Sequence, residues 1–286
     1  MHRLRISDLS FDKNEIYSCS PRFTPINDFE IYSLNQFTNF DDINELTQRA
    51  NYCTHVSIDT ESNQWTFCPA LIQIELINSD KSTVILLQVQ HLPEEKKSSK
   101  FVSIQKCLNQ ILHPSKTLLG WGDLKQELID FVRFDLFDAQ LLETLIFINV
   151  QREYTLWFRP RNFMDRRGYR KWSLQDTILH LFDQFLDKSE TLNQWSRRLF
   201  QQGTHLPLDP KTRSMIDYAA NDCLALTKIA HHIQLWWIEK LTWIEMMYIF
   251  LFLFDFFSVQ SSNNRIKNSA FLHLRFFFFH RLNSLV

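Results

Sequence analysis

Three apolar, β-branched runs follow one another closely between residues 55 and 89, and they constrain the fold more than any other feature. The runs are HVSID (55–59), ALIQIELI (70–77) and STVILLQV (82–89), with short turn-like segments between them. Short runs rich in Val and Ile and bounded by polar turn residues are typical of strands. Strands joined by short turns pair in opposite directions, so this region predicts an antiparallel meander.

Helical and strand-like patterns alternate in the rest of the chain. The predicted elements outside the meander are a strand at 29–34, a helix at 39–51, a helix at 101–112, a strand at 117–120, a helix at 123–133, a strand at 134–140 leading into a further helix, and amphipathic helices at 172–186, 190–200 and 210–235. A meander followed by βα units predicts an α/β fold, in which helices flank a mixed central sheet with early antiparallel strands.

Three regions of the chain differ in composition. Residues 1–27 have weak periodicity and are predicted to be an extension, residues 28–235 to be the folded domain, and residues 236–286 to be a hydrophobic, Phe-rich tail. A membrane-tethered protein is an alternative because residues 235–257 are strongly apolar. However, their longest uncharged run, Met246 to Phe254, is far shorter than the roughly 18 residues that a span requires. Membrane insertion is therefore not expected, and the tail is expected to dock on the domain or to lie outside the fold.

Composition narrows the possible classes of protein. The four glycines form neither a G-x-G-x-x-G nor a P-loop pattern, so no nucleotide cofactor is expected. The five cysteines contain no C-x-x-C pair, and no secretory signal is visible at the N-terminus, which together predict an intracellular protein of the nucleus or cytoplasm, with an organelle as the alternative. The net charge of −1 gives no overall attraction to nucleic acid, so such a partner would need a local basic patch or metal ions.

Asp59 and Glu61 end the first run of the meander. Residues two apart in a strand lie on the same face. Two carboxylates on one face repel each other unless a positive charge lies between them. The pair therefore indicates either half of a divalent-metal site or simply a strand that ends in a polar turn.

Asp123 follows Gly120-Trp121-Gly122 where a short strand leads into a helix. An aspartate in this position complements the helix dipole and caps the helix, which is its simplest role. Glu127 lies one helical turn later on the same side and is a rival for any further role of Asp123.

Tyr218 and Asp222 are four residues apart in a strongly helical pattern and share a face. An acid within an apolar helical stripe is costly unless it is paired or bound to a metal. With Asp59, Glu61 and Asp123, Asp222 makes four carboxylates from three segments without a matching group of His or Cys, which favours Mg²⁺ or Mn²⁺. Two such ions can stabilise the attacking and leaving oxygens of a phosphoryl displacement, while a tyrosine orients the attacking water.

These stretches resemble the motifs of a known family. SIDTES with CPALIQIEL, GD within LLGWGDLKQEL, and DYAANDCLAL resemble, in order, the three motifs of the DEDD 3′–5′ exonucleases. LDKSETLNQWSRRL (186–199) is similar to a segment that the ribonuclease D and Werner-type branch carries between its second and third motifs. The resemblance extends over about 29–235. The third motif has the form Tyr-x-x-x-Asp, and Asp217 stands where the sister branch has a histidine, so the chain resembles the tyrosine branch.

The resemblance implies a ribonuclease H-like fold and a metal-dependent enzyme that releases nucleoside 5′-monophosphates from a 3′ end. It also implies two divalent cations, Mg²⁺ or Mn²⁺, held by the four acids Asp59, Glu61, Asp123 and Asp222, with Tyr218 positioning the water. The second motif is compressed after Gly120, so that Glu127 stays open as its acid in place of Asp123. A catalytically silent nucleic-acid-binding or scaffold protein on the same fold is the alternative function.

A basic and aromatic stretch at residues 149–172 could hold the nucleic acid, which is expected to be DNA or RNA with a single-stranded 3′ end. Basic side chains neutralise phosphates, and aromatic rings stack on unpaired bases. The predicted binding residues here are Arg159, Arg161, Arg166, Arg167, Arg170 and Lys171. A solvated loop with incidental charge is the alternative. Trp65 could wedge against the terminal base, or it could be a core residue.

Overall fold

The computed structural model of the protein describes residues 8–158 and 171–233. Within them, six strands form one mixed sheet in the order β1-β4-β3-β2-β5-β6. The strands are β1 (Asp28–Leu34), β2 (His55–Ser62), β3 (Pro69–Leu76), β4 (Lys81–Gln88), β5 (Thr117–Gly120) and β6 (Ile146–Asn149). β2, β3 and β4 pair antiparallel, whereas the β1–β4, β2–β5 and β5–β6 pairs are parallel. The predicted α/β fold with an early antiparallel meander in a mixed sheet is confirmed.

The described residues also contain eight α-helices. They are α1 (Asp8–Tyr17), α2 (Phe40–Tyr52), α3 (Ser99–Ile111), α4 (Leu124–Ile129), α5 (Ala139–Thr144), α6 (Val150–Phe158), α7 (Leu174–Phe182) and α8 (Pro210–His232). Three of these helices begin after an N-cap residue whose side chain accepts a hydrogen bond from the backbone N–H three residues later. The N-cap residues of α2, α3 and α7 are Asn39, Ser98 and Ser173. Asp209 caps α8 in the same way, and Pro210 follows where a missing N–H costs nothing.

Alternate residues of the central strand β3 face two different helix layers. Ile72 and Ile74 pack in one cluster with apolar residues of α2 and α3, whereas Leu71 packs in another with residues of α8. Every residue of β3 is buried, as expected for a strand that is covered on both faces. Asp59 pairs with Gln73 and Glu61 pairs with Leu71 in the β2–β3 register, and directly paired residues share a face. The two acids of β2 therefore point toward the α8 side of the sheet.

The strand predicted at 134–140 is wrong. Asp135 adopts a left-handed conformation with φ of 59°, which ends a short 3₁₀ turn instead of continuing a strand. Leu136 and Phe137 are buried in the core from this irregular segment. Their apolar character therefore reflects burial, and the next strand begins later, at β6.

The helix predicted at 190–200 is also wrong, since this segment consists of turns. Its backbone pairs with the loop after β2: Gln64 N donates to Asn193 O at 3.0 Å, and Ser196 N donates to Asn63 Oδ1 at 2.7 Å. Trp195 lies 1% exposed within the cluster under α8. The buried apolar residues of this loop happen to be spaced as in an amphipathic helix, which explains the wrong prediction.

Part of the region predicted as an N-terminal extension contacts the domain. Lys13 of α1 lies 2.9 Å from Asp176 of α7, and Phe23 N donates to Phe185 O at 2.9 Å. In the part of the chain that is described, no helix is long and apolar enough to cross a membrane. The tail predicted at 236–286 lies outside the described residues.

Candidate active site

The end of β2 supplies the first two acids of the site. Strand alternation places Val56 and Ile58 in the core with α2 and α3, so Asp59 and Glu61 face α8. Glu61 is only 9% exposed. The prediction that these two carboxylates share one face of a strand end agrees with this register.

α8 supplies the third acid and the phenol. Asp222 is fully buried and Tyr218 is 5% exposed, one helical turn away on the same face. The loop after α7 adds a lysine that the sequence analysis did not single out. Lys188 Nζ lies 2.7 Å from Asp222 Oδ1, 2.6 Å from Oδ2 and 3.1 Å from the hydroxyl oxygen of Tyr218. An ammonium group therefore engages both oxygens of the fully buried Asp222.

The acids of the two elements influence each other strongly. Burial and the negative charge of Asp222 together raise the pKa of Asp59 to about 7, against the opposing effect of the Lys188 ammonium. Burial, followed by the charges of Asp59 and Asp222, raises the pKa of Glu61 well above its ordinary value. Burial also raises the pKa of Asp222 against the opposing effect of Lys188. The charge of Asp222 on α8 therefore acts on both acids of β2, and the charge of Asp59 acts on Glu61.

The lysine and the phenol respond to the same cluster. Burial acts to lower the pKa of Lys188, but the charges of Asp222 and Asp59 outweigh it and the pKa is raised overall. Burial and the negative charge of Asp222 raise the pKa of Tyr218. Lys188 is therefore a cation and Tyr218 a neutral phenol at physiological pH.

The second predicted motif contains two candidate acids, Asp123 and Glu127, which the structure places differently. Asp123 is exposed, and its Oδ1 accepts a hydrogen bond from Gln126 N at 3.2 Å, which makes it the cap of α4. Glu127 is half-buried, and its Oε2 accepts from Thr60 Oγ1 of β2 at 3.3 Å. The charge of Glu127 also contributes to the raised pKa of Asp59. The structure therefore brings Glu127 next to the β2 acids, while Asp123 lies at the helix start with a capping role.

The donor set fits a hard divalent cation by its chemistry and its charge. Asp59, Glu61 and Asp222 offer only carboxylate oxygens, and with Lys188 they carry a net charge of about −2 when all are ionised. Their side chains are not arranged as a metal site, however. Among residues 8–158 and 171–233, no group of three or more His, Cys, Asp or Glu side chains could hold a metal ion. The four predicted carboxylates thus do not form one ligand group in the structure, where Lys188 takes up both oxygens of Asp222.

Of the residues predicted to bind nucleic acid, two lie in the described part of the chain. Trp65 is 78% exposed in the turn between β2 and β3, so the alternative that it is a core residue is wrong. Phe67 in the same turn is 80% exposed. Lys171 is exposed just before α7. The five predicted arginines, Arg159, Arg161, Arg166, Arg167 and Arg170, lie outside the described residues.

Sequence reasoning missed Lys188 and Thr191. Thr191 Oγ1 donates to Lys188 O at 2.9 Å and lies 3.0 Å from the hydroxyl oxygen of Tyr218. Both residues belong to LDKSETLNQWSRRL, which was noted for its resemblance to the family. A lysine and a hydroxyl in that stretch were the available signal, but nothing in the local pattern showed that the loop turns back toward α8.

A mixed sheet with an acid pair at one strand end and a buried acid on the covering helix defines a ribonuclease H-like exonuclease fold. The family described as 3′-5′ exonuclease matches residues 35–236. The chain belongs to this family.

Several solved structures are similar to the chain. Escherichia coli RNase D has 19% identity over 73% of this chain and 44% of its own, with a TM-score of 0.48. The catalytic core of RRP6 from Trypanosoma brucei has 12% identity over 74% and 48%, with a TM-score of 0.45. The EXO domain of Aedes aegypti Nibbler has 15% identity over 75% and 94%, with a TM-score of 0.43. The chain spans less than half the length of the first two, and no curated protein sequence matches it.

Proposed function

We propose that this chain is a metal-dependent 3′–5′ exonuclease of the tyrosine branch, which hydrolyses phosphodiester bonds and releases nucleoside 5′-monophosphates. The observation that carries the proposal is that the charge of Asp222 on α8 acts on Asp59 and Glu61 of β2, while Lys188 joins Asp222 to the Tyr218 hydroxyl. Membership of the 3′-5′ exonuclease family supports the same reaction. Strongly perturbed pKa values in neighbouring carboxylates are typical of functional sites.

Asp59, Glu61 and Asp222 would hold one Mg²⁺ or Mn²⁺ ion, and Asp59 would share a second ion with Asp123 or Glu127. When bound, the two ions would activate water and stabilise the leaving 3′ oxygen. Glu127 is the better supported acid for the second ion because it contacts β2 through Thr60. Asp123 is exposed, and its Oδ1 is engaged as the cap of α4.

Tyr218 would orient the attacking water. When Thr191 donates its hydroxyl hydrogen to Lys188 O, the Tyr218 hydroxyl is the donor in its 3.0 Å contact with Thr191. The phenol oxygen also accepts from Lys188 Nζ. Its remaining lone pair can accept a hydrogen bond from water and so direct an oxygen lone pair of that water toward the phosphorus. The raised pKa keeps the phenol protonated in this role.

The substrate would be DNA or RNA with a single-stranded 3′ end. Trp65 is available to stack on an unpaired base because most of its side chain is exposed beside the end of β2. Lys171, together with the arginines of 159–170, would neutralise phosphates of the same strand. The loop that carries Trp65 is held against the segment after Lys188 by the bond from Gln64 N to Asn193 O.

A catalytically silent nucleic-acid-binding protein is the second candidate function. The ion pair of Lys188 with both oxygens of Asp222 favours it, since an ammonium that stays in that position would take the place of a metal ion. The two candidates differ in one measurable property, because only the exonuclease requires a divalent cation.

The deciding experiment incubates the purified chain with 5′-labelled single-stranded DNA and RNA in Mg²⁺, Mn²⁺ or EDTA. We expect a ladder of shortened products only with metal and nucleoside 5′-monophosphates as the released species. Asp59→Asn and Asp222→Asn should each reduce the rate by at least about a hundredfold, since metal stabilisation is worth several kcal/mol. Asp80→Asn, an exposed acid in the β3–β4 turn, is the matched control.

Two further comparisons belong to the same assay. Glu127→Gln should reduce the rate more than Asp123→Asn if Glu127 is the acid of the second motif. Binding of the same oligonucleotides in EDTA, measured by fluorescence anisotropy, separates the candidates. Binding without any shortening in either metal would overturn the exonuclease and support the silent protein.

A further inference from the structure

Helix α1 lies outside the part of the chain that matches the 3′-5′ exonuclease family, yet it reaches the loop that carries Lys188. Asn14 Oδ1 accepts one hydrogen bond from Lys188 N at 3.2 Å and another from Gln175 Nε2 at 2.7 Å. Gln175 is 6% exposed and also donates to Leu186 O at 2.9 Å. One amide oxygen of α1 thus links α7 to the start of the active-site loop.

α1 is held in place independently of this link. Lys13 Nζ lies 3.0 and 2.9 Å from the two carboxylate oxygens of Asp176 in α7, and the Tyr17 hydroxyl donates to Asp176 Oδ1 at 3.0 Å. This ion pair and hydrogen bond dock the helix, whereas Asn14 bonds the loop. The docking of α1 on α7 and the hydrogen bond of Asn14 to the Lys188 loop can therefore be tested by substituting different residues.

The backbone of Lys188 is fixed on both sides. Its N–H is bonded to Asn14, and its carbonyl oxygen accepts from Thr191 Oγ1, which also contacts Tyr218. With the main chain held in this way, the side chain extends to place Nζ between Tyr218 and Asp222. Loss of the Asn14 bond would release the first of the two restraints.

We propose that α1 is a working part of the active site, in which Asn14 is a positioning residue that holds the Lys188 ammonium between Asp222 and Tyr218. The inference rests on the proposed exonuclease function for its effect on catalysis. Its structural part, the placement of Lys188, can be tested without any activity.

The kinetic test uses the full chain with Asn14→Leu, Asn14→Asp, Lys13→Met and Glu15→Ala. We expect Asn14→Leu to reduce kcat about tenfold or more with little change in KM, because Lys188 Nζ donates to the Tyr218 hydroxyl that orients the water, and a displacement of about an ångström in such a group is enough for this loss. Asn14→Asp keeps an acceptor oxygen and should retain most of the activity. Lys13→Met weakens docking but leaves the Asn14 bonds, and Glu15→Ala alters an exposed neighbour, so both should have smaller effects.

A double-mutant comparison shows whether Asn14 acts through Lys188. In a Lys188→Met background, Asn14→Leu should cause little further loss, since the group that it positions is already absent. Equal losses from Asn14→Leu with and without Lys188, or equal losses from Asn14→Leu and Glu15→Ala, would overturn the proposal.

Lysine labelling gives a readout that does not depend on turnover. The Lys188 side chain is 24% exposed, so a reductive-methylation reagent can reach Nζ once it leaves Asp222. Quantified by mass spectrometry, labelling of Lys188 should rise several-fold in Asn14→Leu and stay low in Asn14→Asp, while Lys81, 52% exposed, serves as the internal reference. Unchanged labelling in Asn14→Leu would refute the positioning role even if the enzyme is active. If the wild-type protein digests no substrate but Asn14→Leu still raises the labelling of Lys188, the exonuclease function is refuted and the positioning role of Asn14 stands.

Discussion

Glu75 is an acid buried in the middle of β3, and within the described residues its hydrogen-bond partners are hydroxyls and not cations. It is fully buried, its Oε1 accepts from Ser82 Oγ at 2.7 Å, and its Oε2 accepts from Thr227 Oγ1 at 2.5 Å. Burial raises the pKa of Glu75 from 4.5 to about 7, and the two hydroxyls only moderate this effect. Glu75→Gln therefore probes how much stability the chain loses when this group ionises.

The direction in which pH changes the free energy of unfolding follows from the pKa of Glu75 in the folded and unfolded states. The folded chain holds the proton up to about pH 7, whereas the unfolded chain releases it near pH 4.5, so the unfolded state binds fewer protons between these values. The favourable contribution of Glu75 is complete below pH 4.5 and is lost as the pH rises to about 7. At 1.36 kcal/mol per pKa unit, this loss amounts to roughly 3 kcal/mol.

Glutamine removes the charge and keeps the shape. Its amide oxygen can accept from Ser82, and its amide nitrogen can donate to Thr227, whose hydroxyl can then donate to Ser57 at 2.8 Å. We expect the free energy of unfolding of Glu75→Gln, relative to wild type, to increase by roughly 3 kcal/mol between pH 4.5 and pH 7.5. Urea denaturation in EDTA, followed by tryptophan fluorescence at several pH values, measures this difference.

Glu143→Gln is the matched control, because the same substitution on a side chain that is 67% exposed should change stability by less than about 0.5 kcal/mol. A stability difference between Glu75→Gln and wild type that does not vary with pH would refute the reasoning. A difference of opposite sign, with the variant losing stability as the pH rises, would mean that a positive charge compensates Glu75.

Two further substitutions test the packing beside the site and the exposed turn. A Cβ on Gly120 would lie 2.6 Å from Leu124 Cβ, so Gly120→Ala should lower the free energy of unfolding by about 1–3 kcal/mol in the same denaturation assay, and an unchanged value would contradict this contact. Trp65→Ala should leave stability within about 0.5 kcal/mol because the side chain is largely exposed. It should raise KM for single-stranded substrate about tenfold, since stacking is worth about 1–3 kcal/mol per base, and an unchanged KM would remove Trp65 from the substrate site.

The elements that sequence reasoning found are those whose side chains repeat with a regular period. β2, β3 and β4 contain runs of apolar and β-branched residues, and their turns are short, so both their existence and their antiparallel pairing followed from local pattern. The spacing of Tyr218 and Asp222 likewise placed both on one face of α8. In each case the property that decides the structure lies within a few residues of the chain.

The parts that were missed depend on partners distant in sequence. Trp195 is buried from a loop because that loop bonds to Asn63, and Asp135 takes a left-handed conformation that no apolar pattern reports. Lys188 reaches Asp222 only because its loop returns to α8, a fact that belongs to the tertiary fold. A charged residue in a polar segment carries no local sign of such a pairing.

The arrangement around Lys188 separates what is fixed from what can move. Asn14 and Thr191 restrain the lysine backbone, but the side chain beyond it has four rotatable carbon–carbon bonds and ends in a single ammonium group. Lys188 can therefore give up one oxygen of Asp222 without moving the loop, and its bond to the Tyr218 hydroxyl can persist while it does so. The ion pair in the structure is therefore compatible with the proposed hydrolysis. The Asp222 carboxylate that a metal ion would need is occupied by the Lys188 side chain, and a rotation of that side chain is enough to free it.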